Sequence, residues 1–324
     1  MQYRLLGKTG IIVSRVCLGA MTFGGATTPP YDKVGGLTLA ETEGLVGAAL
    51  DAGINFIDAA DVYAAGESET LLGAALQGRR DEVIVATKFH APMGKGPNDA
   101  GQSRLHIMRS IEGSLRRLRT DHIDLYQIHN FDDLTPMEET LRALDDAVSA
   151  GKLRYIGCSN LAAWQAAKAC YSLAVRDVER EILPMAIDHG LGVLAWSPLA
   201  GGLLSGKFGR SRNAGDASRR THIDFPPIVQ EHGHRVIDAL DVVAARHGVS
   251  GAQVALAWLL AQPGVTAAIV GARRVEQLQD NLRSLDLALS GEDFALLEQA
   301  SALPPSYPGW IQAITNEHRA RFIA

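Results

Sequence analysis

Short apolar runs alternate with longer runs of helical spacing along almost the whole chain, and this beat restricts the available folds more than any other feature. "SRVCLGAM" (14–21), "INFIDAA" (54–60), "EVIVATK" (82–88), "HIDLYQIH" (122–129), "RYIGCSN" (154–160), "LGVLAW" (191–196) and "VTAAIVGA" (265–272) read as strands. Between them lie helical patterns. The first three are "TLAETEGLVGAALDAG" (38–53), "SETLLGAALQG" opening on Ser68 and closing at Gly78, and "SRLHIMRSIEGSLRRL" (103–118). "TPMEETLRALDDAVSAGK" follows, with Thr135 as N-cap and Pro136 at the first helical position. "LAAWQAAKA" (161–169), "RDVEREILPMAIDHG" (176–190), "HRVIDALDVVAARHG" (234–248), "GAQVALAWLLAQ" (251–262) and "VEQLQDNLRSL" (275–285) complete the set. Regular strand–helix units require parallel strands, since each helix returns the chain to the same end of the sheet. No G-x-G-x-x-G follows any strand, so a doubly wound dinucleotide-binding sheet has no support. The expected fold is α/β: a (β/α)8 TIM barrel with an N-terminal β-hairpin, "YRLLGKTGIIV", turning at Gly7–Gly10. Residues 1–324 read as one barrel domain with a C-terminal tail from about residue 303 to 324.

Composition narrows the function. The 324 residues are 47% hydrophobic and 21% charged, enough for a large core. A formal net charge of −5 argues against a nucleic-acid partner, which wants a basic surface. No run approaches the roughly 18 apolar residues of a membrane span, and "MQYRLLGKTG" lacks the apolar core of a signal peptide. Cys17, Cys158 and Cys170 are too few and too scattered for a disulfide framework. These features together read as a cytoplasmic protein with reduced thiols. They leave oligomeric state open, a homo-oligomer included.

In a barrel of this kind the reactive groups gather at the C-terminal ends of the strands. There the chain places Asp58, with Tyr63 one turn beyond, then Lys88, His129, the pair Ser159 and Asn160, and Trp196. Singly, each has an ordinary alternative: a helix cap, a solvated rim charge, a satisfied loop histidine, a core tryptophan. Jointly they form an acid–base set. Free tyrosine titrates near pH 10, and a neighbouring ammonium favours its phenolate. Asp58 would anchor Lys88, Lys88 would tune Tyr63, and His129 would orient a carbonyl oxygen. Tyr63 would then donate a proton as hydride reaches the carbonyl carbon. "EHGH" (His232, His234) lacks further ligands at metal spacing, so no metal site is expected.

"NFIDAADVYAAGESE", "VIVATK", "DLYQIH", "IGCSN", "WSPLAGGLLSGK" and "IVGARRVEQLQDN" resemble the aldo-keto reductases in order and spacing, from the hairpin to about Leu282. The resemblance implies a barrel that binds NADP(H) and interconverts aldehydes or ketones with alcohols without metal. It puts a catalytic tetrad on Asp58, Tyr63, Lys88 and His129. Ser159 and Asn160 match the pair that holds the nicotinamide carboxamide, and Trp196 matches the ring that stacks on the nicotinamide. Ser197, Leu199, Gly201 and Lys207 match the pyrophosphate loop, while Gly271, Arg273, Gln277 and Asn281 match the adenosine segment. Gly19, Met21 and Thr22 match residues passing close to the nicotinamide. Arg273 and Arg274 suit a 2′-phosphate, favouring NADP over NAD; two solvated arginines are the alternative. The basic stretch from Lys207 to Arg220 would cover the phosphates or stand as a plain solvated loop. Some relatives of this kind serve as regulatory subunits of membrane channels, so a cofactor-binding module with little turnover is the rival reading.

The chain departs from that pattern near residue 170. The sixth strand appears shortened or missing, because "LAAWQAAKAC" runs straight into "YSLAVRDVEREI". Either the deletion is real and the barrel is distorted or seven-stranded, or a stretch between Cys170 and Tyr171 is absent and its flanks are adjacent in the numbering. The second is preferred, since an open barrel exposes strand edges.

Overall fold

The computed structural model describes residues 1–160, 168–212 and 219–306. A hairpin of β1 (Tyr3–Leu5) and β2 (Ile12–Ser14) precedes β3 (Val16–Gly19). Then come α1 (Tyr31–Val34), α2 (Leu39–Asp51), β4 (Phe56–Asp58), α3 (Glu67–Ala75), β5 (Ile84–Phe89), α4 (Arg104–Leu118) and β6 (Ile123–Ile128). They are followed by α5 (Met137–Ser149), β7 (Leu153–Cys158), β8 (Lys168–Cys170), α6 (Ile182–His189), β9 (Val193–Trp196) and α7 (Arg219–His222). Last are α8 (Gln230–His247), α9 (Gly251–Ala261), β10 (Val265–Val270), α10 (Val275–Leu282) and α11 (Gly291–Ser301).

β3 to β10 form one eight-stranded parallel sheet in the order β7-β6-β5-β4-β3-β10-β9-β8. That is the cyclic order of a (β/α)8 barrel, as expected. Between β7 and β8 no ladder is present among the described residues. Alternation along each strand sorts side chains into two layers. Cys17, Phe56, Ala86, Leu125, Leu194, Ala267 and Ile269 fill the barrel, and Leu6 and Val13 from the hairpin segment join them. Val16, Leu18, Ile57, Val85, Tyr126, Ala195 and Ala268 face the helices.

The sixth strand is short but present. Cys170 pairs with Trp196, and the Tyr171 N–H donates to the Trp196 carbonyl oxygen, so the ladder runs on through that junction. The helix expected over 161–169 is therefore corrected at its end: Lys168 and Ala169 belong to a strand, where ladder hydrogen bonds outweigh alanine's helix preference. Its remainder lies outside the described residues, as does the expected tail from residue 307 onward. Two caps also differ from expectation. Thr135 donates to Asp132 Oδ2 (2.8 Å), and Pro136 takes the N-cap position of α5. α3 begins at Glu67 rather than Ser68; the buried Ser68 hydroxyl donates to the Ala20 carbonyl oxygen (2.7 Å) instead. α11, which no expectation covered, opens on a capping box of Ser290 and Asp293.

Candidate active site

β4 and β5 are neighbours in register, so Asp58, the last residue of β4, stands beside the interior-facing Lys88 of β5. Lys88 Nζ lies 2.8 Å from Asp58 Oδ2, and both side chains are buried. The same ammonium donates to the Ala59 carbonyl oxygen and, at 3.3 Å, to the Tyr63 hydroxyl oxygen. Tyr63 reaches it because the backbone turns sharply next: Ala64 (φ 50°), Ala65 (φ 54°) and Gly66 (φ 93°) all occupy the left-handed region. For the two alanines this conformation costs roughly 1–2 kcal/mol each, strain concentrated beside the phenol. Lys88 Nζ also lies 4.8 Å from the centroid of the Tyr63 ring. His129 follows β6 directly, and its ring meets Tyr63 edge-on with centroids 6.0 Å apart. All four tetrad positions thus converge on one patch of rim.

Gln127 was missed. On β6 it pairs with Lys88, and its Nε2 donates to Asp58 Oδ1 (3.3 Å). A Cβ at Gly157 would lie 3.3 Å from its side chain, so glycine there gives the amide room. Tyr31 on α1 was missed as well; its ring centroid lies 6.4 Å from that of Tyr63.

The expected cofactor residues occupy the same rim, at the ends of β3, β7, β9 and β10. Gly19 pairs with Asp58, and a Cβ on it would press to 3.0 Å from Ile269 Cγ2. Met21 and Thr22 lie in the turn after β3, where the Thr22 hydroxyl donates to the Ala272 carbonyl oxygen (3.0 Å). Ser159 is buried, whereas Asn160 sits at φ 56° and turns its amide to the His129 carbonyl oxygen and to Asn130 Oδ1, both at 3.1 Å. Trp196 ends β9 and stacks on Phe225 (5.7 Å, 12°). The Ser197 hydroxyl accepts from the Gly201 N–H (2.9 Å), and Leu199 and Gly201 complete a tight turn against Phe225. Lys207 is exposed beyond it. Arg273 does not reach freely into solvent: its guanidinium donates to the Lys33 (2.7 Å) and Val34 (3.0 Å) carbonyl oxygens of α1. Gln277 accepts from the Arg273 N–H (2.9 Å), Asn281 is buried, and Gly271 is exposed, with room for a Cβ at 3.9 Å from Thr22 Cγ2. In the basic stretch, Arg210 and Arg212 pair with Glu231, Asp238 and Asp241 of α8.

These residues fit a dinucleotide. Gly271 exposes its backbone, and the N-terminal end of α10 bears the exposed Arg273 and Arg274. No group able to hold a metal ion occurs among the described residues.

The family model for the aldo/keto reductase family matches residues 15–302. The chain belongs to this family. Among its aldo/keto reductase relatives, the uncharacterized oxidoreductase YrpG of Bacillus subtilis is 41% identical over 325 residues, covering 92% of this chain and 95% of the relative. The aldo-keto reductase YhdN of the same organism is 35% identical over 308 residues (90% and 91%). A probable voltage-gated potassium channel subunit beta of Oryza sativa is 36% identical over 313 residues (89% and 92%). The alignment with YrpG runs over 325 positions but takes in only 92% of this 324-residue chain, so it includes residues of YrpG that this chain lacks.

Proposed function

We propose that the protein is an NADPH-dependent carbonyl reductase in which Tyr63 exchanges the proton, reducing an aldehyde or ketone to an alcohol or running in reverse. A bound nicotinamide supplies the hydride; the chain's own residues do the rest. Asp58 fixes the Lys88 ammonium, and that ammonium lies within hydrogen-bond reach of the phenol oxygen, favouring the negative charge left as the proton departs. His129, beside the phenol ring, orients the carbonyl oxygen toward it. The observation that carries the reading is the continuous Asp58–Lys88–Tyr63 contact, at 2.8 and 3.3 Å.

The preference for NADPH rests on Arg273 and Arg274 at the start of α10. No described helix is long and apolar enough to cross a membrane, and the few, scattered cysteines lead us to place the enzyme in the cytoplasm. Tyr63→Phe tests the assignment. Turnover should fall by at least about a hundredfold while NADPH binding, followed by fluorescence titration, stays nearly intact. Turnover at the parent rate would refute it.

A second reading, a cofactor-binding regulatory module with little turnover, draws on the likeness to the rice protein named as a channel subunit. Steady-state NADPH oxidation with a panel of aldehydes and ketones separates the two. Binding without oxidation of any of them would favour the module.

A further inference from the structure

Tyr63 has a second aromatic neighbour whose position is built as firmly as that of His129. α1 lies in the long connection between β3 and α2, over the rim, and packs against the turn after β3 and against α7. Its first residue, Tyr31, meets Tyr63 at 6.4 Å with the rings inclined by 58°. Gly25 makes that approach possible: at φ 85°, a Cβ there would lie 2.5 Å from Tyr31 Cβ and 3.2 Å from Ala64 Cβ. The Tyr31 N–H donates to the Thr28 carbonyl oxygen (2.7 Å), and the Gly25 N–H donates to Glu67 Oε2 (2.7 Å). At its other end α1 is tied down by the Arg273 guanidinium, through the Lys33 and Val34 carbonyl oxygens. The two tyrosines differ in one decisive respect. Lys88 touches Tyr63, whereas burial, with Tyr63 and Asp61 nearby, pushes the Tyr31 phenol up to about 12. Tyr31 therefore keeps its proton at working pH and offers a ring and a neutral hydroxyl.

We propose that Tyr31 is a specificity-determining wall of the carbonyl pocket, selecting aryl aldehydes and ketones, and that Arg273 is the residue that positions it. This rests on the reductase reading above. A carbonyl oxygen hydrogen-bonded to the Tyr63 hydroxyl carries its substituent only a bond or two away, within reach of the flanking rings. The His129 ring lies 6.0 Å from that of Tyr63 and the Tyr31 ring 6.4 Å from it, both inclined to it, so a flat ring attached to the carbonyl finds faces and edges to pack on. A puckered aliphatic ring of the same carbon count gains less. Arg273, expected to hold the 2′-phosphate, thereby links the cofactor end of the rim to the substrate end.

The test uses the full chain with benzaldehyde and cyclohexanecarboxaldehyde, which share a ring size and differ in planarity. Taking the ratio of their kcat/KM values cancels every effect common to both. Tyr31→Leu should lower that ratio about fivefold, mainly through the KM for benzaldehyde, with NADPH affinity unchanged. Tyr31→Phe, which keeps the ring, should hold the ratio within about twofold of the parent. Arg273→Met is measured with NADH, which has no 2′-phosphate for the arginine to hold, and should move the ratio the same way as Tyr31→Leu. An unchanged ratio in Tyr31→Leu, alongside normal turnover of cyclohexanecarboxaldehyde, would overturn the Tyr31 assignment and leave the reductase reading standing. An unchanged ratio in Arg273→Met with NADH would overturn the positioning role. Failure of the parent protein to reduce either aldehyde while it reduces others of the panel would overturn this inference alone; failure with the whole panel would bring down the reductase reading with it.

Discussion

Two buried charge clusters straddle the same pair of strands, one inside the barrel and one outside it, and they are satisfied very differently. Lys88 and Gln127 pair across β5 and β6, as do Thr87 and Tyr126 one residue earlier. The pleat sends the first pair inward and the second outward. Inside, Asp58 meets Lys88 at 2.8 Å and accepts from Gln127, and Lys88 spends its remaining reach on Ala59 and Tyr63. Outside, buried Glu69 accepts from Thr87 (2.6 Å) and from Arg117 Nε (2.7 Å). Asp61, equally buried, meets no side-chain hydrogen-bond donor at either carboxyl oxygen among the described residues. Burial first, and then the charge of Glu69, pushes Asp61 up to about 8, against the opposing pull of Arg117, the Val62 N–H and Lys88. Burial likewise raises Tyr126 well above the usual phenol range. The inner cluster thus holds opposite charges in contact, while the outer cluster has two carboxyls for one guanidinium. A carboxylate in direct contact with an ammonium and a carboxyl kept neutral by its surroundings sit only three residues apart in sequence, at Asp58 and Asp61.

The strongest way to break that contrast is to remove the inner cation. Lys88→Met removes the ammonium from the buried Asp58 carboxylate, leaves the Gln127 amide beside it, and takes positive charge from the Tyr63 oxygen. Carbonyl turnover should drop by about a hundredfold or more, with folding stability lower by about 3–5 kcal/mol. Steady-state kinetics and urea unfolding read the two effects separately. Near-normal turnover in a folded variant would show that the inner pair is structural.

How much of this was legible beforehand follows from the same geometry. An ionisable residue that stops an apolar strand is visible in one dimension, and the barrel rule brings such ends together; Asp58, Lys88 and His129 were found that way, with Tyr63 one turn past the first. Gln127 was hidden because it lies within a strand rather than at its end. Glu69 and Arg117 sit on amphipathic helices, where a charge ordinarily signals solvent; the burial of Glu69 and its pairing with the half-buried Arg117 depend on how α3 and α4 pack, which spacing does not reveal. Tyr31 lies in a Gly-, Thr- and Pro-rich connection that reads as loop, and its approach to Tyr63 depends on Gly25, Glu67 and Arg273, residues distant from one another along the chain. β8 was read as helix because its alanine-rich surroundings favour one, and the ladder with β9 prevailed.

Removing the outer cation should injure the fold rather than the chemistry. Arg117→Met strands the fully buried Glu69 carboxylate on Thr87 alone, and about 3 kcal/mol of stability should be lost. Turnover, assayed below the lowered melting temperature, should remain within about threefold of the parent. A hundredfold loss in a folded protein would mean that the two clusters act as one unit.

Asp61 gives a smaller effect with a definite sign. In the unfolded chain its proton leaves near pH 4, whereas the folded state holds it until about pH 8. Between those values the native state binds the extra proton, so stability from this group is complete below pH 4 and is lost as pH rises through 8. Asp61→Asn cannot ionise and should flatten that decline, so that its stability gains on the parent as pH rises toward 8. Thermal melts of both proteins at half-unit steps from pH 4.5 to 8.5 measure it. Parallel curves would place the Asp61 carboxyl in a better-solvated setting than its burial implies.

The smallest effect distinguishes what anchors the inner pair. The Gln127 amide reaches Asp58 Oδ1 at 3.3 Å, a long hydrogen bond, while the ammonium meets the other oxygen at 2.8 Å. Charge-assisted contact at the shorter distance should dominate. Gln127→Met, close in volume and apolar, should therefore cost about 1 kcal/mol and reduce turnover by less than about tenfold. A loss rivalling that of Lys88→Met would reverse the assignment of roles, because the amide rather than the ion pair would then be fixing the carboxylate.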